Sequence, residues 1–524
     1  MSQSAADNTT SQSPGSPLIL SLDIGTSSTR ALLFDAAGHA IQGVQSQLPY
    51  RLTTTREGEA SVDADALVKL TAQAIDGVLS AAGPMAQRIA AVATSCFWHS
   101  LVAVDASGHA LTPVLSWEDN RARQAVVELS HEFDDQAIHR RTGARLHTSY
   151  WPAKILWLAE TMPDVFKQTA QWLSIGEYLH RHFLGRSVCS LSMASGTGMT
   201  LIRERTWDSE LQRAVGARPE QFPPLGDLRD SVQGLTAEYA QRWPALRNVP
   251  WFPATGDGAA ANIGSGCVTG ENWALTIGTS SAMRIIVPPD AVVPSGGLWL
   301  YRVDARRGLL GGALSEGGNI PAWLEATVQL PPLVQAEPLI ATLPPNGHGL
   351  TVLPFISGER SPGWHDRATM AITGLTAHTT PADILRASLE AIAYQINAVY
   401  QELLAATHLQ AETNAPQSQQ SPQSHQPQPR LIGSGGALLS SPTFQGIIAS
   451  TLNTSLYPSL EREASARGVA LLALEALGNI PDVAQVPAQL GTQVMPDAEQ
   501  HAAYIQGMER QGELYRLLLE NSER

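Results

Sequence analysis

The sequence predicts an α/β protein of two similar domains that face each other across a nucleotide cleft. Three observations carry this. Residues 22–28 read LDIGTSS and residues 275–281 read LTIGTSS, so one stretch occurs twice, at the start of each half of the chain. Each copy lies between apolar runs, LILSL and RALLF around the first, WAL and AMRIIV around the second, the pattern of a β-hairpin closed by glycine and hydroxyl residues. The 524 residues suffice for two or three domains with a large core. A single such turn reads equally well as an ordinary tight turn; the repetition points to two related domains with a phosphate chain between them. Glycine and hydroxyl turns present N–H and O–H donors with no bulky side chain in the way. The copies differ at one position. Asp23 can hold Mg²⁺ directly or through water, whereas Thr276 can only cradle phosphate.

The first hairpin is followed by HAIQGVQSQLPYRL, a further strand. EGEASVDADALVKLTAQAIDGVLSAA then sets Val62, Leu67, Leu70, Ile75 and Val78 at roughly helical spacing after an Asp-rich start. RIAAVATSCFWHSLVAVDASGHAL reads as a buried strand, a turn and a hairpin strand. The resulting β-β-β-α-β order fits a mixed sheet. SCFWHS (95–100) ends the buried strand, where α/β proteins bind ligands. There Trp98 can stack on the C–H face of a sugar and His99 can bond its hydroxyls, core packing being the alternative for both. SWEDNRA (116–122) sets Trp117, Asp119 and Arg121 on alternate positions. In an extended segment Asp119 and Arg121 point the same way and bracket a polyol; a surface ion pair is the alternative.

Residues 139–163 carry a helix with Lys154, Leu156, Trp157 and Leu158, its aromatics read as core. Residues 174–185 form another amphipathic helix, and 193–208 a loop and strand. In 245–267 a Gly-Asp-Gly turn (256–258) precedes a small-residue helix start, AAANIGSG. Asp257 is thereby held near a helix N-terminus and exposed to the cleft, where it can accept a proton from a sugar hydroxyl; a plain N-cap is the alternative. In the second half, GGALSEGGNIPAWLE (311–325) makes a Gly-rich turn into a helix, a further nucleotide contact through Gly318. Residues 355–375 read as a turn-rich loop, and Pro381 opens a long helix. Residues 411–430, rich in Gln, Pro and Ser, read as a mobile insertion that cannot bury a core. Residues 429–453 read as strand, Gly433–Gly436 turn and helix; glycines there let backbone approach a base or ribose. The small-residue helix 465–478 is expected to pack beneath that turn.

Composition narrows the function. Net charge is −14, with Asp+Glu 48 against Lys+Arg 34 and no basic cluster, so binding of nucleic acid or an anionic membrane is not expected. Cys96, Cys189 and Cys267 show no paired spacing, offering neither a zinc site nor a disulfide framework, which suits the cytoplasm. No apolar run reaches about 18 residues, so no membrane-spanning helix is expected. The polar start lacks a signal-peptide pattern, and residues 1–16 are expected to be a disordered tail.

These motifs resemble the FGGY family of carbohydrate kinases. Asp23-Ile-Gly-Thr-Ser resembles its first phosphate motif, Gly256-Asp257-Gly258 the motif of its catalytic base, Ile277-Gly278-Thr279-Ser280 its second phosphate hairpin and Gly433–Gly436 its adenosine motif. The family's C-terminal signature is similar at Ile372, Gly374-Leu375, Asp383-Ile384 and Ala387-Ser388-Leu389-Glu390, with Met370 departing. Its N-terminal signature is similar at Lys154, Trp157 and Glu160, with Trp151 departing. The resemblance runs from about residue 17 to 480. Trp117–Arg121 and His99-Ser100-Leu101 look most like the gluconokinase branch, although Trp98 departs from it.

The resemblance implies two actin-like (ribonuclease H-like) ATPase domains, 17–266 and 267–524, with 411–430 inserted in the second. It implies ATP and Mg²⁺ as cofactors, a sugar or sugar acid as the other small-molecule partner, and phosphorylation of a terminal hydroxyl. D-gluconate is the first acceptor, xylulose or another pentulose or polyol the alternative. A homodimer is compatible with it. Asp257 would be the base and Asp23 the Mg²⁺ ligand. Gly25, Thr26, Ser27, Gly278 and Thr279 would hold phosphates, and Gly318, Gly435, Gly436 and Ser440 the rest of the nucleotide. Trp98, His99, Asp119, Arg121 and Asp257 would read the sugar, with Arg121, then Lys154, as the cation for a carboxylate. The same fold also serves ATP-driven switches and sensors; the acid at 257 and the polar set at 95–121 argue for an enzyme.

Overall fold

The computed structural model describes residues 16–294, 296–328, 330–365, 367–414 and 429–520. The expected tail thus lies, but for Ser16, outside the described residues, as do residues 415–428 of the expected insertion. Residues 411–414 complete a helix.

The first sheet is built from β1 (Leu18–Ile24), β2 (Ser28–Phe34) and β3 (Ala40–Pro49), followed by α1 (Ala64–Ala82) and β4 (Ile89–Cys96). Every residue of β1 is buried, which is why LILSLDI runs apolar instead of alternating. Helix α1 starts where the Asp63 carboxylate accepts the Ala66 N–H at 2.7 Å, and it lies on β2 and β3. Val62, expected within its apolar stripe, belongs to a short strand just before it. The chain then leaves the sheet to form a lobe with its own core around Leu101, Trp151, Trp172 and Met199. That lobe contains α2 (Trp151–Thr161). The departure at Trp151 has a packing role: its indole N–H donates to the Ser100 carbonyl at 2.9 Å and its ring stacks on Trp207. Strand β5 (Thr255–Gly256) rejoins the sheet and passes directly into α3 (Asp257–Gly264). The strand order is β5-β4-β1-β2-β3, the first three parallel and the rest antiparallel.

The second sheet repeats this plan. Strands β6 (Asn272–Ile277) and β7 (Ser281–Val287) form the second hairpin, followed by β8 (Trp299–Arg302), β9 (Gly308–Leu314), α4 (Pro381–Asn414), β10 (Arg430–Ser434), α5 (Pro442–Leu452) and β11 (Leu456–Pro458). The order is β11-β10-β6-β7-β9-β8, with β6, β10 and β11 parallel. In each sheet the first hairpin strand has a parallel neighbour and the second an antiparallel one. Even the registers agree: Asp23 is opposite Ser95 on β4, and Thr276 is opposite Ser434 on β10.

Helix α6 (Ala464–Ala476) follows the second sheet in sequence but completes the first core. Its Ala466, Val469, Leu471 and Leu474 share one cluster with residues of β1 and β4. The sequence expectation placed this helix under the Gly433–Gly436 turn. Instead, Ala464 and Gly468 let it lie on Ala260 and Gly264 of α3, because small residues allow two helix backbones to touch. The span 267–524 is therefore divided in space. Among the described residues, no helix is long and apolar enough to cross a membrane.

Candidate active site

A cavity of about 330 Å³ lies between the start of α3, the second hairpin and the lobe that follows β4. Asp257, the first residue of α3, lines it. The Oδ1 of Asp257 accepts the Gly258 N–H at 2.8 Å. Burial pushes this carboxyl up to about 6, while the Arg284 guanidinium pulls the other way. A carboxylate that titrates near neutrality can take a proton from a bound hydroxyl.

Trp98 explains both glycines of the Gly-Asp-Gly turn. A Cβ on Gly256 would lie 1.9 Å from the Trp98 indole, and one on Gly258 would lie 2.7 Å from it. The indole is 6% exposed, donates its N–H to the Ser192 carbonyl at 2.9 Å, and meets Tyr301 edge-on with centroids 5.0 Å apart. Core packing and cavity lining, alternatives at the level of sequence, are here one and the same. His99 adopts a positive φ of 64°, and its Nδ1 bonds the Gly196 carbonyl oxygen. Burial drives its pKa down to about 3, so the ring is neutral; with Nδ1 donating, Nε2 is an acceptor.

Three of the expected sugar contacts are absent from the cavity lining. Asp119 and Arg121 bind each other, Arg121 Nη2 donating to Asp119 Oδ2 at 2.7 Å and Nε to Oδ1 at 3.1 Å. Alternate residues point the same way only in an extended segment, and here the chain turns: the Asp119 N–H donates to the Ser116 carbonyl at 3.2 Å. Asp119 is 2% exposed and also accepts the Ala60 N–H, while Arg121 lies over the Trp157 ring at 4.6 Å. Lys154 sends Nζ to the carbonyl oxygens of His99 and Ser116, each at 2.8 Å. It braces the segments that present His99 and Trp117 instead of entering the cavity, and burial lowers its pKa to about 7.

The cations that do line the cavity are Arg284, on β7, and Arg360, in the loop that joins two short strands, Thr351–Leu353 and Ala371–Thr373, between β9 and α4. Arg284 Nη1 donates to Thr276 Oγ1 at 3.3 Å. Arg360 Nη2 donates to the Leu314 carbonyl at 2.8 Å, and the guanidinium lies over the Trp117 ring at 5.1 Å. Tyr150 and Tyr301 join the lobe to the second sheet, hydroxyl to hydroxyl at 2.6 Å. Sequence reasoning missed Arg284, Arg360, Tyr150 and Tyr301. The available signal was a lone cation, Arg284, in the strand after the second Gly-Thr-Ser-Ser turn, and an arginine pair, Arg360 and Arg367, in the turn-rich loop 355–375.

The glycines of the two Gly-Thr-Ser-Ser turns are uncrowded at their tips. Nothing within 4 Å would meet a Cβ on Gly278 or Gly436, and a Cβ on Gly25 would meet the Ser28 carbonyl only at 3.7 Å. Open space above bare backbone and hydroxyls fits a phosphate chain. Thr26 is half-buried, while Ser27, Thr279 and Ser440 are exposed. Gly318 and Gly435 do different work. The Gly318 N–H donates to the Gly278 carbonyl at 2.7 Å, and a Cβ on Gly435, with φ of 92°, would lie 2.3 Å from the Ile277 carbonyl oxygen. Both glycines pack the turns together. Asp23 is buried, 3.6 Å from Arg30 Nε, and Arg30 pairs with Glu463 at 2.6 Å. Burial raises the Asp23 pKa against the pull of Arg30, and the charge of Asp23 reaches Asp257.

Residues 18–264 match the N-terminal domain, and residues 273–477 the C-terminal domain, described as the FGGY family of carbohydrate kinases. A gluconokinase of Bacillus subtilis is 26% identical over 397 residues, covering 73% of this chain and 76% of that protein. A xylulose kinase of Lactococcus lactis is 25% identical over 380 residues, covering 72% and 75%. The crystal structure of gluconate kinase from Lactobacillus acidophilus superposes with a TM-score of 0.85 at 26% identity, covering 96% of this chain and 98% of that one.

Proposed function

This chain belongs to the FGGY family of carbohydrate kinases, and from that premise we propose that it phosphorylates the terminal hydroxyl of an open-chain sugar acid, D-gluconate first, at the expense of ATP. Its two domains have the actin-like ATPase fold. One observation carries the choice of an acid. Among the described residues, two guanidinium groups line the cavity, Arg284 and Arg360, against a single carboxylate, Asp257. A neutral sugar leaves one of those positive charges uncompensated in a half-closed space; an acid compensates it.

In this reading Asp257 takes the proton of the terminal hydroxyl. Arg284 keeps the carboxyl of Asp257 lower than burial alone would set it, so more of the base is ionised near neutrality. His99 Nε2 accepts from a sugar hydroxyl, and Trp98 offers its face to C–H groups. Gly25, Thr26, Ser27, Gly278 and Thr279 donate N–H and O–H groups to the phosphates, and Gly436 and Ser440 border the adenosine. Asp23, a buried acid beside Arg30, would hold Mg²⁺ directly or through water when Mg-ATP is bound. Bound Mg-ATP supplies the phosphoryl group and neutralises its charge. The protein's share is positioning, charge compensation and the exclusion of water.

A coupled ADP-release assay tests this with gluconate, xylulose, ribulose, glycerol, erythritol and xylitol as acceptors. Turnover with gluconate well above the neutral compounds supports the acid; turnover confined to a ketose or polyol removes it and leaves the kinase. A pentulose is the second reading, favoured by xylulose kinases matching this chain at nearly the identity of the gluconokinases.

A further inference from the structure

The two cations of the cavity are not equivalent. Arg284 is the cation that acts on Asp257. Arg360 interacts most with Glu316, Tyr150, Tyr301 and Glu118, and its charge also bears on Arg284 and His99. With its guanidinium 5.1 Å from the centre of the Trp117 ring, Arg360 stands at the Trp117 end of the cavity, while Arg284 acts on the base. Arg360 is also incompletely satisfied. One guanidinium nitrogen serves the Leu314 carbonyl, and Nε is buried without a partner. Among the described residues, no acid is in ion-pair contact with it. The acid bearing most on it, Glu316, is 1% exposed, and its Oε1 likewise lacks a partner. Burial pushes the Glu316 carboxyl up to about 8, so near neutral pH it is mostly protonated and does not cancel the charge of Arg360. A buried guanidinium held by one carbonyl and one ring face is costly, and its planar fork matches a carboxylate.

We propose that Arg360 binds the carboxylate of the acceptor, at the end of the cavity away from Asp257, and is the residue by which this chain selects a sugar acid over a neutral sugar. The acceptor then lies with its terminal hydroxyl at Asp257 and its acid at Arg360, spanning the aromatic wall of Trp98 and Tyr301. The inference rests on the sugar-acid reading above.

The test compares D-gluconate with D-glucitol, which replaces the carboxylate by a hydroxymethyl group, in the parent enzyme, Arg360→Met and Arg360→Gln. The expected result is a KM for gluconate raised about thirtyfold or more, the scale for truncating one side of a buried charge pair, with a smaller change in kcat and little change for glucitol. Gluconate should also raise the Tm of the parent enzyme but not of Arg360→Gln, which keeps a donor for the Leu314 carbonyl should Arg360→Met fail to fold. Equal losses on both acceptors, or an unchanged KM for gluconate, overturn the assignment of Arg360 alone. A parent enzyme that phosphorylates neutral sugars and no acid overturns the sugar-acid reading and this inference with it.

Discussion

Gly264 and Gly468 bring two helix backbones into direct contact: a Cβ on Gly264 would lie 2.8 Å from the Gly468 amide nitrogen, and one on Gly468 would lie 1.8 Å from the Ala260 carbonyl oxygen. The helix positioned this way is α3, which begins with Asp257. Gly468→Ala should therefore both destabilise the protein, by about 1–3 kcal/mol as for overpacking elsewhere, and lower kcat by moving the base. Thermal melts alongside steady-state kinetics check this; an unchanged Tm with unchanged kcat removes the contact's importance.

Asp257→Asn should fold like the parent and lose at least about a hundredfold in turnover, the scale for removing a general base. The parent's pH profile carries a second signature. The base works ionised, and its carboxyl is held up at about 6. Activity should be full above that value and fall as the pH drops through it. Near-normal turnover in Asp257→Asn would falsify the assignment.

Arg284→Met tests the electrostatics directly. Arg284 lowers the pKa of Asp257, so its loss should move the acid limb of the profile to higher pH, in addition to any drop in kcat. A limb that stays in place means the guanidinium does not act on the base.

Gly258→Ala should be destabilising because the new Cβ meets the Trp98 ring at 2.7 Å. In a Trp98→Leu background the same change should cost less. A double-mutant cycle should return a coupling of about 0.5–3 kcal/mol, as for residues in contact; strict additivity is the contrary result.

Arg121→Ala should act on stability and spare the acceptor site. It strands the 2% exposed Asp119 carboxylate, at a cost of about 3 kcal/mol for a broken buried pair, and should leave KM for gluconate near its parent value. A large rise in KM without a fall in Tm would return Arg121 to the sugar.

What could be read in advance was local. Two hairpins and a Gly-Asp-Gly helix start are written in consecutive residues, because turn chemistry and strand patterning are short-range properties. Even the glycines beside Asp257 were visible, though not their reason, which is a tryptophan more than 150 positions away. Arg284 and Arg360 were invisible for the complementary reason. Nothing in their neighbours says that a strand and a loop of the second half of the chain close over a lobe of the first. Asp119 and Arg121 misled because periodicity predicts direction only if the backbone is extended, and there it turns. The small residues of α6 signalled tight packing but were assigned to the Gly433–Gly436 turn; the partner is α3, and that pairing joins segments about two hundred residues apart.

The return of α6 to the first core also bears on how the chain is made. Synthesis runs from the N-terminus, and domains usually fold as they emerge. Here the strands of the first sheet and α3 leave the ribosome long before Ala466, Val469, Leu471 and Leu474, which share their core. Throughout translation of the second sheet, the nascent first domain carries an open apolar face shaped for a helix not yet synthesised. The enzyme thus matures from its end backwards, and its dependence on chaperones during synthesis should exceed that of a protein of equal length whose domains are each continuous in sequence.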